Sequence, residues 1–169
     1  EDVFSGINTS WTRVEGGAQI GEILGDVQKN FDFTNPSASL PKLLKAYSLI
    51  QNLKDEHWRA IKTEEIKGII QACAGLYLEA VSNSEFASPG DNIRLHLEAI
   101  NRSTANVTLK SIVLNPQNRV EETATLLPNN EDWKKFFDYK IPLNAAYTSP
   151  YWLNKEGTVG MYRVDDPKL

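Results

Sequence analysis

The sequence predicts an α+β protein in which an N-terminal bundle of about three helices is followed by an antiparallel β-sandwich of the immunoglobulin type. Apolar residues recur at helical spacing from Ala18 to about residue 83, which is the pattern of amphipathic helices. From Ser84 onward, short runs of alternating apolar and polar residues are separated by Pro, Asn and Gly clusters, which is typical of strands. We therefore predict a helical domain at 1–83 with an irregular N-terminal segment, and a sandwich at 84–169.

Each predicted helix has its own start signal. The first begins at Ala18, where the apolar period starts. The second follows Ser39, a residue type that is common at the N-cap. Asp55 is expected to cap a short turn that holds His57 and Trp58. The third long helix is expected to begin after Thr63 and to continue to about residue 81, because its apolar stripe extends that far.

The predicted strands are short and follow one another without helical patterns between them, which indicates a sandwich. They lie at 93–99, 107–114, 119–127, 135–141 and 158–164. The chain stops just after the last of these runs, and it begins at Glu1 without an initiator Met. We therefore expect a piece of a longer protein, with the last strand of the sandwich removed at Leu169.

The composition argues against two classes of partner. The chain has 169 residues, a formal net charge of −4 and no run of Lys and Arg. Because nucleic-acid binding relies on a basic patch, we expect no nucleic-acid partner. No apolar stretch approaches the length that crosses a bilayer, so we also expect no membrane span.

The sequence offers no complete set of catalytic or metal-binding side chains. His57 and His96 are the two histidines, and neither has a further ligand at the spacing of a zinc site. We expect a solvated His96, a packing or capping role for His57, and a buried, inert Cys73. Gly16 and Gly17 lack the rest of a phosphate-binding fingerprint. We therefore predict no catalytic residue, no metal ligand and no cofactor in this chain.

Two further patterns have plain interpretations. Asp165 and Asp166 are adjacent, so in a strand they point to opposite faces and do not share one task. We interpret them as a solvated strand end. Asn8, Asn101 and Asn106 each begin an N-x-S/T triplet, which matters only if the source organism glycosylates its proteins.

Five aromatic residues are the candidates for binding and for an interface. Tyr147, Tyr151 and Trp152 could stack on sugar rings. Because Tyr151 and Trp152 are adjacent, they would face opposite ways in a strand, and we favour a structural role in which one ring packs inward. Phe4 and Trp11 lie in the opening segment, which has no local means of hiding two large rings. We predict that a partner surface buries them.

Four stretches resemble the region downstream of the catalytic domain in large LmbE/PIG-L-type deacetylases of Bacteroidetes-like bacteria. They are "FSGINTSWTRVEGG", "HWRAIKTEEIKGIIQACAGLYLEA", "SPGDNIRLHLEAINRS" and "SPYWLNKEGTVGMYRVDD". Members of that family are zinc-dependent and remove the acetyl group from N-acetylglucosamine-like sugars. Their catalytic domain carries a His-Pro-Asp-Asp motif and a later His-rich zinc motif, and neither occurs here. "VDDP" at 164–167 lacks the preceding His-Pro.

The resemblance implies that this chain is an accessory, non-catalytic region of a larger secreted hydrolase, periplasmic or extracellular. The upstream catalytic domain of the same chain would be its partner and would hold the zinc. This region would pack on that domain and shape substrate access. The alternatives are a carbohydrate-binding module that uses Tyr147, Tyr151 and Trp152, and a protein–protein adaptor built on the helices.

Overall fold

The computed structural model describes residues 3–115 and 118–165, and the α+β class is confirmed within them. The helices are α1 (Ala18–Lys29), α2 (Leu40–Gln51) and α3 (Glu56–Cys73). The strands are β1 (Leu76–Ser82), β2 (Asn92–Asn101), β3 (Val107–Leu114), β4 (Arg119–Leu127) and β5 (Asp132–Lys140). Single turns of 3-10 helix occur at Trp11–Arg13, Pro36–Ser39 and Tyr151–Leu153. None of the described helices is both long enough and apolar enough to cross a membrane.

A hydrophobic core joins the three helices to the residues just before α1. Its buried members are Val14, Ile20, Ala46, Ile50, Leu53 and Ile66. The members on the helices come from the three- and four-residue stripes of the sequence, because those positions lie on one face of a helix. Trp11 and Trp58 are partly buried and pack against this core. The predicted α1 and α2 are confirmed.

The start of α3 differs from the prediction. The helix begins at Glu56, not after Thr63, and Asp55 is its N-cap. The Asp55 carboxylate accepts a hydrogen bond from the backbone N–H of Trp58, at 3.1 Å between Oδ1 and N. This bond satisfies one of the free N–H groups of the first turn. The short turn that was expected at 55–58 is therefore the first turn of α3.

The end of α3 also differs, since residues 76–82 form strand β1 and not the last turns of a helix. The change occurs at Gly75, whose φ of +59° is left-handed and suits glycine. A Cβ atom at this position would lie 3.3 Å from the Cβ of Arg102. The Arg102 backbone N–H donates to the Gly75 carbonyl at 3.0 Å, so the chain leaves the helix in close contact with the loop after β2.

The strands form two sheets. One has three strands in the order β1-β2-β5, and the other is the antiparallel pair β3-β4. The pairing of β3 with β4 changes register between Leu109 and Ser111. The extra residue of this bulge is on β4, where Ala124 has a left-handed φ of +46°. The predicted strands at 93–99, 107–114, 119–127 and 135–141 are confirmed as β2 to β5.

Two compact units divide the chain, and they alternate along the sequence. The first comprises the described residues within Glu1–Glu79 and Glu98–Lys134, and the second those within Ala80–Leu97 and Lys135–Leu169. The first unit contains the helices and the β3-β4 pair. Buried residues of the second unit are Leu97, Phe137 and Tyr139. The division into domains at residue 83 stays a prediction.

Candidate functional site

The C-terminal segment, residues 146–165, is exposed at every described position. The expected core strand at 158–164 is wrong: this stretch contains only a bridge between Thr158 and Met161. The two residues exchange backbone hydrogen bonds of 2.9 and 3.1 Å. Gly160, between them, has a φ of +82°, which a tight turn of this kind requires. Asp165 and Asp166 were interpreted as a solvated strand end. Asp165 is exposed, and Asp166 lies outside the described residues.

The three candidate sugar-stacking residues all lie in this segment. Tyr147 is 80% exposed, Tyr151 43% and Trp152 42%. Tyr151 and Trp152 lie in a 3-10 turn, and their rings meet edge to face at 4.9 Å with an angle of 87°. The expectation that one of the two rings packs inward is therefore wrong. Because perpendicular rings do not share a plane, at most one of this pair presents its face to a flat ligand.

The structure separates the two candidate interface residues, Phe4 and Trp11. Phe4 is 60% exposed, and its neighbours Val3 and Ile7 are 85% and 59% exposed. We call these three residues the N-terminal apolar patch. Trp11 packs instead against the helical core. A Cβ atom added to Gly21 of α1 would lie only 2.9 Å from the Cβ of Trp11, so α1 fits closely against this residue.

The structure also shows the surroundings of the two histidines and the single cysteine. His57 is exposed and meets its neighbour Trp58 edge to face at 5.4 Å, so its predicted packing or capping role stays a prediction. His96 stacks on Phe136, with ring centroids 4.7 Å apart and an angle of 13°. Its Nε2 atom is buried and has no hydrogen-bond partner among the described residues, so the solvated His96 that was predicted is wrong. Cys73 is buried as predicted, and burial raises the pKa of its thiol.

The described residues contain no group of three or more His, Cys, Asp and Glu side chains that could hold a metal ion. Zinc sites need three or four such ligands close together. The residues of the two described ranges therefore do not fit a zinc ion, and no zinc-dependent step is assigned to them.

A small cleft lies where the opening segment meets α3. Trp11 and Trp58 line it together with Arg13 and Lys62, and its volume is about 170 Å³. The guanidinium carbon of Arg13 lies 4.5 Å from the centroid of the Trp58 ring. The Nζ atom of Lys62 lies 5.6 Å from the same centroid and 6.0 Å from that of Trp11. Two cations and two indoles thus converge on one cleft, which we call the tryptophan cleft.

Sequence reasoning did not find the tryptophan cleft. Trp11 and Trp58 are distant in sequence, and Arg13 belongs to a segment without a regular period, so no local pattern joins them. One signal was present, since Trp58 and Lys62 are four residues apart and share a face once α3 begins at Glu56. The late start that was predicted for α3 concealed this signal.

An apolar groove runs along α2 and α3 in the same unit. Its volume is about 460 Å³, and Leu44, Tyr47, Ile70 and Leu78 are among the residues that line it. Leu44 and Leu78 are 51% and 52% exposed. The groove is thus a partly exposed apolar surface formed by α2, α3 and the start of β1.

The three N-x-S/T triplets differ in accessibility. Asn8 and Asn106 are exposed. Asn101 is 1% exposed, and its side-chain amide donates to the carbonyl oxygens of Ala105 and Leu127 at 2.8 and 3.1 Å. A glycan therefore cannot be attached to Asn101 in the folded chain.

Comparisons with protein-family models, with curated proteins and with solved structures find no match to this chain. The likeness to LmbE/PIG-L-type deacetylases therefore stays a prediction from the four stretches of sequence.

Proposed function

We propose that this chain is an accessory, non-catalytic region of a larger zinc-dependent sugar N-deacetylase of the LmbE/PIG-L type. It packs on the upstream catalytic domain of the same protein and shapes the access of substrate. The zinc and the catalytic residues belong to that domain, and the whole protein is periplasmic or extracellular. The helices form a bundle, and the strands form a sandwich of the immunoglobulin type.

The N-terminal apolar patch is the observation that carries the proposal. Val3, Phe4 and Ile7 are all more than half exposed, although large apolar side chains next to one another are usually covered in a protein that works alone. The patch precedes the helices, and in the proposed arrangement it contacts the upstream domain. Burying Phe4 against such a domain removes its ring from water and favours association.

The first test is the coding sequence that precedes Glu1. The proposal requires a His-Pro-Asp-Asp motif and a later His-rich motif upstream. If both are present, the upstream domain and this chain are produced as two polypeptides, and their association is measured by calorimetry. Saturable binding is expected, together with a lower KM of the deacetylase for an N-acetylglucosamine-containing substrate.

A pair of phenylalanine variants makes this test specific. Phe4→Ser should weaken the association, because it removes the one aromatic ring of the patch. Phe33→Ser is the matched control, since Phe33 is 87% exposed in the same unit. Equal loss in both variants, or an upstream sequence without the motifs, would contradict the proposal.

A carbohydrate-binding module is the second candidate, and the exposure of Tyr147, Tyr151 and Trp152 favours it. Trp152→Ala should then abolish retention on an amino-sugar polymer while the protein stays folded, because Trp152 is 42% exposed. Unchanged retention would rule out this candidate. A protein–protein adaptor is the remaining alternative, and it would use the apolar groove along α2 and α3.

A further inference from the structure

We propose that the tryptophan cleft binds a sugar ring that carries a carboxylate group. This inference goes beyond the proposed function, because it assigns a ligand to the helical unit itself. It rests on three features of the cleft: fixed indole walls, an excess of positive charge, and an arginine without an acidic partner among the described residues.

The walls of the cleft are held in place by the helical core. Trp11 and Trp58 are both partly buried against that core. On the α1 side, Gly21 leaves no room for even a Cβ atom next to Trp11, at 2.9 Å. Trp58 is fixed by its position in the first turn of α3, where its backbone N–H is bonded to Asp55. A ligand therefore meets indole surfaces that lose little freedom on binding.

The charge of the cleft favours an anion. Among the residues that the structure describes, its lining includes Arg13 and Lys62 and contains no carboxylate. Lys62 donates to Glu65 at 2.7 Å, and an ammonium group has two further N–H donors. Arg13 and Lys62 lie 4.5 and 5.6 Å from the centroid of the Trp58 ring. A carboxylate bound in the cleft would be attracted to both cations.

The surroundings of Arg13 suit a contact with a carboxylate. Arg13 forms no ion pair with any residue that the structure describes, and its guanidinium lies over the Trp58 ring at 4.5 Å. A guanidinium over an aromatic ring keeps N–H groups that can donate to a further partner. A carboxylate is the group that matches their paired geometry.

The indoles explain why the ligand has a ring. Because the guanidinium of Arg13 already lies over the Trp58 ring, the sugar ring would stack on Trp11, which also lines the cleft. A bare anion gains nothing from such a contact. The cleft also contains Thr9, whose hydroxyl can bond to a sugar hydroxyl. A neutral sugar would leave Arg13 without its partner, and a ring-less anion would leave the indoles unused. Both parts of the ligand are therefore needed.

The test uses the whole chain with D-glucuronate as the probe. D-Glucose is the matched neutral ring, and acetate is the matched anion without a ring. Binding is followed by the NMR signals of the indole N–H groups, of which the chain has four. Glucuronate should shift the signals of Trp11 and Trp58 in a saturable manner and leave those of Trp133 and Trp152 in place. It should bind about tenfold more tightly than either control, as one charge-assisted pair implies.

Two cleft variants and one control assign the effect to Arg13 and Lys62. Arg13→Met and Lys62→Met should each weaken glucuronate binding by about tenfold. Arg102→Met should leave it unchanged, although Arg102 lies over the ring of Tyr77 at 4.9 Å in a similar arrangement outside the cleft. If a cleft variant does not fold, the salt dependence of the unaltered protein decides, because binding must weaken as salt rises.

Several results would overturn the proposal. They are the absence of saturable shifts at Trp11 and Trp58, equal loss in Arg102→Met, and binding that salt does not weaken. Acetate as tight as glucuronate would show a bare anion site, and glucose as tight as glucuronate would show that the cations do not contribute. Either result rejects a carboxylate-bearing sugar as the ligand.

Discussion

At the scale of single residues, Asn101 shows how one buried amide closes a loop. It is 1% exposed, and both of its N–H groups donate to backbone carbonyl oxygens, those of Ala105 and Leu127. Its Oδ1 atom accepts from the N–H and the hydroxyl of Ser103, each at 3.0 Å. The amide is therefore fully bonded, which is the condition for burying a polar group without a large cost.

Replacing Asn101 by Ala should destabilise the protein by about 2–4 kcal/mol, because several hydrogen bonds are lost and buried carbonyl groups lose their donors. Chemical denaturation of the variant measures this change. Asn106→Ala is the control, since Asn106 is exposed in the same loop, and it should change the free energy of unfolding by less than about 0.5 kcal/mol. Equal effects would show that the amide of Asn101 does not act as described.

Asp26 and Lys42 form an ion pair that links α1 to α2. The hydrogen bond from Lys42 lowers the pKa of Asp26 below its ordinary value, and Asn30 adds a second donor at 2.7 Å. A carboxyl group with a lowered pKa stabilises the folded state above its unfolded-state pKa. That contribution is lost as the pH falls through the folded-state pKa.

Lys42→Met should therefore raise the pKa of Asp26 toward its ordinary value, as measured by NMR titration of the side-chain carboxyl carbon. The acid-induced loss of stability that this pair causes should also disappear. Asp32 provides an internal control, because Thr34 and not a lysine lowers its pKa. An unchanged pKa of Asp26, or an equal rise at Asp32, would show that Lys42 is not the cause.

At the scale of elements, the boundary between α3 and β1 shows where periodicity is insufficient. Leu76, Tyr77 and Val81 continue the helical stripe of the sequence, and the same residue types also suit a strand. Gly75 was the available signal, because a glycine after a run of apolar residues commonly ends a helix. The close approach of Arg102 to Gly75 could not be predicted, since it depends on the position of the loop after β2.

The bulge in β4 leads to a second prediction at this scale. Ala124 has a φ of +46°, a conformation that costs a residue with a Cβ atom roughly 1–2 kcal/mol. Ala124→Gly removes this cost, although glycine loses more freedom on folding. We expect a net gain of up to about 1 kcal/mol in the free energy of unfolding.

Ala80→Gly in β1 is the matched control, because Ala80 is exposed and is not among the residues with positive φ. It should destabilise by roughly 0.5–1 kcal/mol. Both variants are compared by urea denaturation. Loss of stability in Ala124→Gly as large as in the control would show that the bulge is not strained at this residue.

At the scale of the whole molecule, periodicity predicts the α+β class and, within the described residues, seven of the eight α-helices and strands, although it places the start of α3 too late. The candidate sites follow less well. Tyr147, Tyr151 and Trp152 were identified as candidates, but one ring of the adjacent pair was expected to pack inward. The perpendicular arrangement of Tyr151 and Trp152 depends on a 3-10 turn that the sequence did not indicate. The tryptophan cleft depends on contacts between residues that are remote in sequence, and periodicity does not report such contacts.

The exposure of the C-terminal segment predicts that it adds little to stability. A chain that ends at Ala146 should retain its free energy of unfolding to within about 1 kcal/mol, because the removed part contributes no buried side chain among its described residues. Phe137→Ala in the full chain is the contrasting variant. Phe137 is 5% exposed, so this change should cost about 3–5 kcal/mol. A comparable loss on truncation would show that the segment packs more tightly than described.

Labelling of Cys73 can report how often the surrounding part of the protein opens. Cys73 is the single cysteine of the chain, it is 8% exposed at the end of α3, and the raised pKa of its thiol keeps it protonated. An alkylating or disulfide reagent can therefore react quickly only when this part of the molecule opens. The rate of labelling in native buffer measures how often that opening occurs, with no engineered probe and no second thiol to confuse the signal. Labelling as fast as that of a free peptide thiol would show that Cys73 is not protected.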